Sequence, residues 1–373
     1  MPCETPHPQL RWEIFCRVID NFGDLGVCWR LACDLAGRGQ TVRLWADDPT
    51  ALAWMAPQGA PEVEVRTWTA PIDMRGIIPG EVLVEAFGCE VDAEFIAEYA
   101  AKVRNKTQKC AWINLEYLSA EDFATRCHGL PSPVMSGPGR GLTKHFFYPG
   151  FTADTGGLLR EPDLMARQAR FDRKAWLADV GLQWQGERLV SLFCYEPAGL
   201  GDLLRSLASD AQASCLLVTP GRASAAVRTE ISKMNRLVPS WNQRSALSIF
   251  YLPLLSQIDF DHLLWASDVN FVRGEDSLVR ALWAGKPLVW QIYPQHDAAH
   301  EVKLEAFLDW LQAPASLRAF HRRWNGLDAP GPALQDAPFE PDLWRDCTAQ
   351  ARTSLLEQED LSTQLLNFIA KIL

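Results

Sequence analysis

Residues 12–26 read WEIFCRVIDNFGDLG, and residues 268–277 read DVNFVRGEDS. In each, an apolar run of strand length, Trp12–Ile19 or Asp268–Val272, ends in a polar turn that opens a helical pattern, Leu25–Arg38 or Ser277–Ala284. Open α/β sheets place their sites outside the carboxyl ends of strands and at helix N-termini. The first turn offers the carboxylates Asp20 and Asp24 with the glycines Gly23 and Gly26. The second offers the cation Arg273, the carboxylates Glu275 and Asp276, and the hydroxyl of Ser277. One such turn in each half predicts a two-domain enzyme working between its halves.

The flanking sequence supports this reading. Thr41–Ala46, Val82–Phe87 and Cys110–Leu115 read as strands, with a helix over Asp92–Arg104. Residues 116–157, heavy in Gly, Pro and Ser, read as loop. Alternation restarts at Arg188–Tyr195 and runs through Leu200–Ser209, Ser214–Thr219, Ala223–Leu237, Ala246–Leu252, Gln257–Ala266 and Pro287–Ile292. Such spacing predicts parallel, doubly wound sheets. The expected fold is α/β of the GT-B kind: two Rossmann-like domains facing a central cleft, with a C-terminal helix packing back on the first. The boundaries read as 1–157 for the N-terminal domain, 158–187 for a charged linker helix, 188–352 for the C-terminal domain and 353–373 for the final amphipathic helix.

Composition narrows the class. At 373 residues, 48% hydrophobic and 22% charged, the chain can bury two cores. No stretch approaches the ~20 apolar residues of a membrane span. Residues 1–8 lack the basic and apolar parts of a signal peptide and read as a frayed tail. The ten cysteines are scattered without a CxxC pair, which predicts buried reduced thiols in a cytoplasmic protein and no structural zinc. A net charge of −10 and a pI near 5.3 argue against a sequence-independent grip on nucleic acid.

Each constellation has a plain structural counterpart. Asp24 could simply cap a helix, but two Asp bracketing one turn at a strand end balance that against a catalytic pair. No G-x-G-x-x-G accompanies them, so dinucleotide binding is disfavoured. Arg273, Ser277 and the helix-start N–H groups suit a diphosphate. Glu275 and Asp276 repel phosphate, and fit better gripping sugar hydroxyls or holding Arg273; a capping role for Ser277 or Asp276 is the alternative. Phe193 and Tyr195 could stack on a base or sugar, or pack in the core. His296 and His300 lack a third ligand nearby and read as a solvated helix start. The 15 tryptophans fall mostly in apolar runs and read as core.

Several stretches match a known family in collinear order over nearly the whole chain. They are 14–27 with 29–32, Asn114–Glu121, 273–277, 284–287 and 292–295. On these the chain resembles the elongation factor P arginine rhamnosyltransferases, the EarP family. The resemblance implies an inverting transfer of L-rhamnose from dTDP-β-L-rhamnose to an arginine of elongation factor P. It implies no metal or other cofactor, no membrane and no direct nucleic-acid contact. It makes Asp24 the general base, Asp20 a second carboxylate on the guanidinium, and Glu275 part of the catalytic set. Arg273, Asp276 and Ser277 match its donor motif, while Phe193, Tyr195, Gln257 and Tyr293 fall where the family contacts nucleotide or sugar. Leu254 stands beside Pro253, where the family tends to carry an aromatic. The N-terminal half would then bind the acceptor and the C-terminal half the nucleotide sugar. Alternatives are another GT-B glycosyltransferase, a nucleotide-sugar epimerase, or a non-catalytic partner of elongation factor P. Intact Asp20, Asp24 and Glu275 favour an enzyme.

Overall fold

The computed structural model describes residues 8–18, 22–105, 109–241, 246–294, 299–327 and 339–373. The chain divides into two compact units, one of residues 1–162 and 357–373, the other of residues 163–356.

The first unit contains β1 (Arg11–Cys16), α1 (Gly23–Gly37), β2 (Thr41–Ala46), α2 (Leu52–Met55), β3 (Val63–Thr67), β4 (Val82–Ala86), α3 (Ala93–Arg104), β5 (Ala111–Leu115), α4 (Asp122–Cys127), β6 (Pro131–Pro133) and β7 (Thr143–Phe147). Its seven-stranded sheet has the order β3-β2-β1-β4-β5-β7-β6, with only β6 antiparallel. Every residue of β4 and β5 is buried, as expected of strands covered on both faces. On one face, Leu25, Cys28, Leu31, Ala32 and Leu35 of α1 recur at helical spacing and fill the core over β1, β2 and β4. On the other, Phe15, Trp45, Phe95 and Trp112 form a second core with α3.

The second unit begins with α5 (Leu164–Ala169) and α6 (Arg173–Asp179). It continues with β8 (Arg188–Leu192), α7 (Leu200–Ser209), β9 (Ser214–Val218), α8 (Arg222–Leu237), β10 (Leu247–Tyr251), α9 (Gln257–Ala266), β11 (Val269–Arg273), α10 (Gly274–Ala284), β12 (Leu288–Gln291), α11 (Ala299–Trp310), α12 (Ala315–Trp324) and α13 (Pro341–Leu356). Its five strands, in the order β10-β9-β8-β11-β12, are all parallel. The last helix, α14 (Leu361–Ile372), returns to the first unit, as expected. Its Leu361, Leu365, Leu366 and Ile369 join the core beside α1. Arg38, at the end of α1, holds it there through Asp360 at 2.7 Å and Thr363 at 2.6 Å.

Three local expectations differ from the structure. The stretch read as one linker helix, 158–187, carries two short helices, because Asp172 accepts from the Ala175 N–H and starts α6 afresh. The closing helix is likewise not continuous from 353, since Asp360 caps a new start by accepting from the Thr363 N–H. The stretch read as loop, 116–157, contains α4, β6 and β7. β7, Thr143–Phe147, is mostly half-buried and is held between β5 and β6 by pairing that has no local signature.

Both sheets reverse their winding direction once. In the first unit this happens between β1 and β4, in the second between β8 and β11. Ligands of open α/β sheets bind outside the strand ends at such a point. α1 and α10 follow β1 and β11, so their N-termini lie at these two points.

Candidate active site

In the second unit the site is built where β8 and β11 end side by side. Arg273 closes β11 and α10 starts at once with Gly274, so Glu275, Asp276 and Ser277 form a first helical turn instead of a separate loop. Gly274 has φ +65°, a conformation that favours glycine, and its carbonyl accepts from the Trp290 Nε1–H at 2.8 Å. The loop after β8 supplies Phe193 and Tyr195. The Arg273 guanidinium lies 4.4 Å from each of their ring centroids and donates to the Cys194 carbonyl at 3.3 Å. Cation–π contact on two rings holds the cation in one place. Tyr293, 47% exposed just beyond β12, meets the Tyr195 ring edge-on at 5.7 Å. The Tyr195 N–H donates to Gln291 Oε1 at 2.8 Å.

The remaining residues expected on the donor side are placed as follows. Gln257 opens α9, whose Phe260 packs edge-on against Phe193 at 5.3 Å. Glu275 is paired with Lys303 of α11. Carboxylates in the first turn of α10 are also favoured by the helix dipole. Ser277 is buried, and its hydroxyl accepts from the Arg273 N–H at 3.1 Å while donating to the Arg273 carbonyl. The cap position of α10 belongs to Arg273, so neither Ser277 nor Asp276 is the cap, and the Ser277 hydroxyl ties the first turn to the Arg273 peptide. Asp276 is half-buried beside it. Leu254 is 62% exposed in the turn between β10 and α9.

Sequence reasoning did not single out Arg222, Glu196, Gln291 or Lys303. Arg222, the first residue of α8, lies 4.8 Å from the face of Tyr195 and pairs with Glu196, its Nε donating to Oε1 at 2.9 Å. That pairing holds the Glu196 carboxyl below the usual carboxylate range. Two guanidinium groups, Arg273 and Arg222, thus lie against the Tyr195 ring. The turn Thr219-Pro220-Gly221 after a strand was the available signal for Arg222.

In the first unit, Asp24 lies in the first turn of α1 and is only 5% exposed. The cap position belongs to Phe22, whose side chain makes no capping bond, so Asp24 is not an N-cap. Its charge helps to push the buried Cys28 thiol upward, after the larger effects of the Cys16 hydrogen bond and burial. Asp47, following β2, fixes the start of the β1–α1 connection by accepting from the Val18 N–H at 2.9 Å. Asp20 lies outside the described residues. At the end of β4, Phe87 takes φ +57° and stacks on Tyr117 at 5.0 Å. Glu116, next to β5, accepts from Asn114 Nδ2 at 2.7 Å, and burial raises its carboxyl pKa above the ordinary value.

Among the described residues no group of three or more His, Cys, Asp and Glu side chains is placed to hold a metal ion, and His296 lies outside them. Among the same residues no helix is long and apolar enough to cross a membrane. None of the nine described cysteines forms a disulfide.

Comparison with known proteins agrees with this geometry. Residues 12–370 match the family described as elongation factor P (EF-P) rhamnosyltransferase EarP. The protein-arginine rhamnosyltransferase of Pseudomonas putida is 42% identical over 380 residues, covering 96% of this chain and 98% of that one. A solved structure showing the basis of EarP-mediated arginine glycosylation of translation elongation factor EF-P aligns with a TM-score of 0.61 at 30% identity, over 98% of this chain and 100% of the other. The glycosyltransferase SnogD of Streptomyces nogalater, at 12% identity and a TM-score of 0.50 over 98% of this chain and 100% of its own, shares the fold. With paired Rossmann-like sheets, a cation–aromatic stack at one winding reversal and a buried carboxylate at the other, the chain belongs to the EarP family of GT-B protein-arginine rhamnosyltransferases.

Proposed function

We propose that this protein transfers L-rhamnose from dTDP-β-L-rhamnose to one arginine of elongation factor P, with inversion at the anomeric carbon. The observation that carries the donor half is the clamping of Arg273 between Phe193 and Tyr195 at the winding reversal of the second sheet. A base and sugar can stack on exposed ring surface such as that of Tyr293, while the guanidinium and the N–H groups at the start of α10 face the diphosphate. Glu275, held by Lys303, grips sugar hydroxyls.

The acceptor half follows from the chemistry of arginine. A guanidinium has a pKa above ~12, so neutralising it at pH 7 costs at least ~7 kcal/mol. A buried carboxylate can bind it through both oxygens, hold one nitrogen against the anomeric carbon, and take the proton as the new bond forms. Asp24 has the burial and helix-start position for that role. In the transfer, the nitrogen–carbon bond forms on one face while the bond from carbon to the diphosphate oxygen breaks on the other. dTDP leaves with that electron pair, and the proton passes to Asp24. The negative charge gathering on the leaving group is met by Arg273. This reading calls for no metal or other cofactor.

The test is direct. Incubation with elongation factor P and dTDP-rhamnose should add one deoxyhexose to the acceptor, read by mass spectrometry. An unmodified acceptor under saturating donor would turn the reading toward another GT-B activity or a non-catalytic binder.

A further inference from the structure

β12 is an edge strand, paired with β11 on one side only. Its outer side presents the Trp290 N–H and carbonyl and the Ile292 N–H, and both residues are buried. Buried peptide groups at a sheet edge need partners. Among the described residues no further strand supplies them. His321 of α12 accepts from the Trp290 N–H through Nε2 at 3.0 Å. Asn325, at the C-terminal cap of α12, accepts from the Ile292 N–H through Oδ1 at 2.9 Å. Its Nδ2 donates to the Trp290 carbonyl at 2.9 Å and to the His321 carbonyl at 2.9 Å. Two side chains thus do the work of a sixth strand at one spot.

That spot is where β12 delivers its residues to the stack. Gln291 lies between the two pinned peptides and receives the Tyr195 N–H. Tyr293 follows Ile292 directly and meets the Tyr195 ring. We infer that His321 and Asn325 are positioning residues for the donor: they fix the end of β12 so that Gln291 and Tyr293 hold Tyr195, and through it Arg273, in register for a nucleotide sugar. The inference rests on the donor-site reading above. The tautomer is consistent, because Nε2 can accept only if the ring is neutral with its proton on Nδ1, which donates to the Leu317 carbonyl at 3.0 Å. Burial lowers the His321 pKa to about 4 and keeps it neutral near pH 7.

The experiment uses the full chain with dTDP-rhamnose and intact elongation factor P. Asn325→Asp keeps an oxygen for the Ile292 N–H and loses the amide donor to Trp290, whereas Asn325→Leu loses all three bonds. The expected result is a donor KM raised ~10-fold in Asn325→Asp and further in Asn325→Leu, consistent with the sensitivity of transfer to small misplacements. The acceptor KM should stay at the native value, and the Trp290 and Ile292 amides should exchange faster. Tyr293→Ala is run beside them. If it weakens donor binding and Asn325→Asp leaves the donor KM at the native value, the positioning role is overturned while the donor site stands. If Tyr293→Ala also leaves donor binding unchanged, the donor-site reading falls and takes this inference with it. A uniform loss of activity with both KM values unchanged would mark Asn325 as structural and overturn the inference. Should Asn325→Leu fail to fold, Asn325→Ser carries the same comparison.

Discussion

The two winding reversals have the same construction and opposite chemistry. At each, a parallel strand ends, a helix begins within a few residues, and a neighbouring strand contributes the facing loop. At the first, the helix start presents a buried carboxylate, Asp24. At the second, the strand end presents a guanidinium against two rings, with a second arginine, Arg222, 4.8 Å from the Tyr195 ring centroid. The helix N-terminus favours an anion in both places. In both units the protein itself supplies such anions, Asp24 in the first and Glu275 and Asp276 in the second; on the proposed function the second start also faces the donor's diphosphate. The architecture decides where a site can form, and the side chains decide its charge.

The sharpest way to break this comparison is to neutralise the first site alone. Asp24→Asn should keep dTDP-rhamnose binding, measured by calorimetry, and lose ~10²–10⁴-fold in transfer. Near-native turnover would reduce Asp24 to a first-turn carboxylate with a purely electrostatic role in α1. The complementary change is Arg273→Ala, which removes charge-assisted contacts worth ~1.5–3 kcal/mol, so donor affinity should fall by roughly 10- to 150-fold. The KM for elongation factor P should hold. If both substitutions damaged donor binding equally, the division of labour between the reversals would be wrong.

A smaller effect is expected from pH. Because burial holds His321 at about 4 in the folded chain against an ordinary value of 6.5, the unfolded chain binds the extra proton between those values. The neutral ring's contribution to stability is complete above about pH 6.5 and is lost as pH falls toward 4. His321→Gln should flatten that part of the stability curve, read as the difference between variant and native denaturant midpoints. An unchanged slope would show that the ring is not buried as described. The smallest effect is expected for Arg222→Ala. Glu196 already neutralises that guanidinium, so donor affinity should drop only a few-fold, well below Arg273→Ala. An equal drop would make Arg222 a full partner in holding the diphosphate.

Much of the fold was legible because its signals are local. The run at Thr41–Ala46 and the helices Leu200–Ser209 and Gln257–Ala266 agree residue for residue with β2, α7 and α9. Gly285, directly after the helical pattern Ser277–Ala284, is the left-handed C-cap of α10, and a Cβ there would meet Arg352 Cδ at 2.6 Å. β3 and β7 were missed because neither has the continuous buried apolar run of β4 and β5: only Val63 of β3 and Phe147 of β7 are buried. Within the site, Asp24, Arg273 and Glu275 could be picked out because a charged residue at a strand end or helix start is conspicuous in its own segment. Ser277 could be picked out too, but only the folded turn shows its hydroxyl bonded to the Arg273 peptide.

By itself the sequence determined two strand–turn–helix units, the charged residues of their turns, and membership of one family through long collinear motifs. Each of these is a property of residues near one another in the chain, where spacing and polarity suffice. Only the tertiary structure decided that Phe193 and Tyr195 clamp Arg273, that Lys303 holds Glu275, and that His321 and Asn325 finish the edge of the second sheet. Those partners are separated by whole strands and helices. Parallel crossovers bring them together, and no local pattern records which distant side chain will fill a given hydrogen bond.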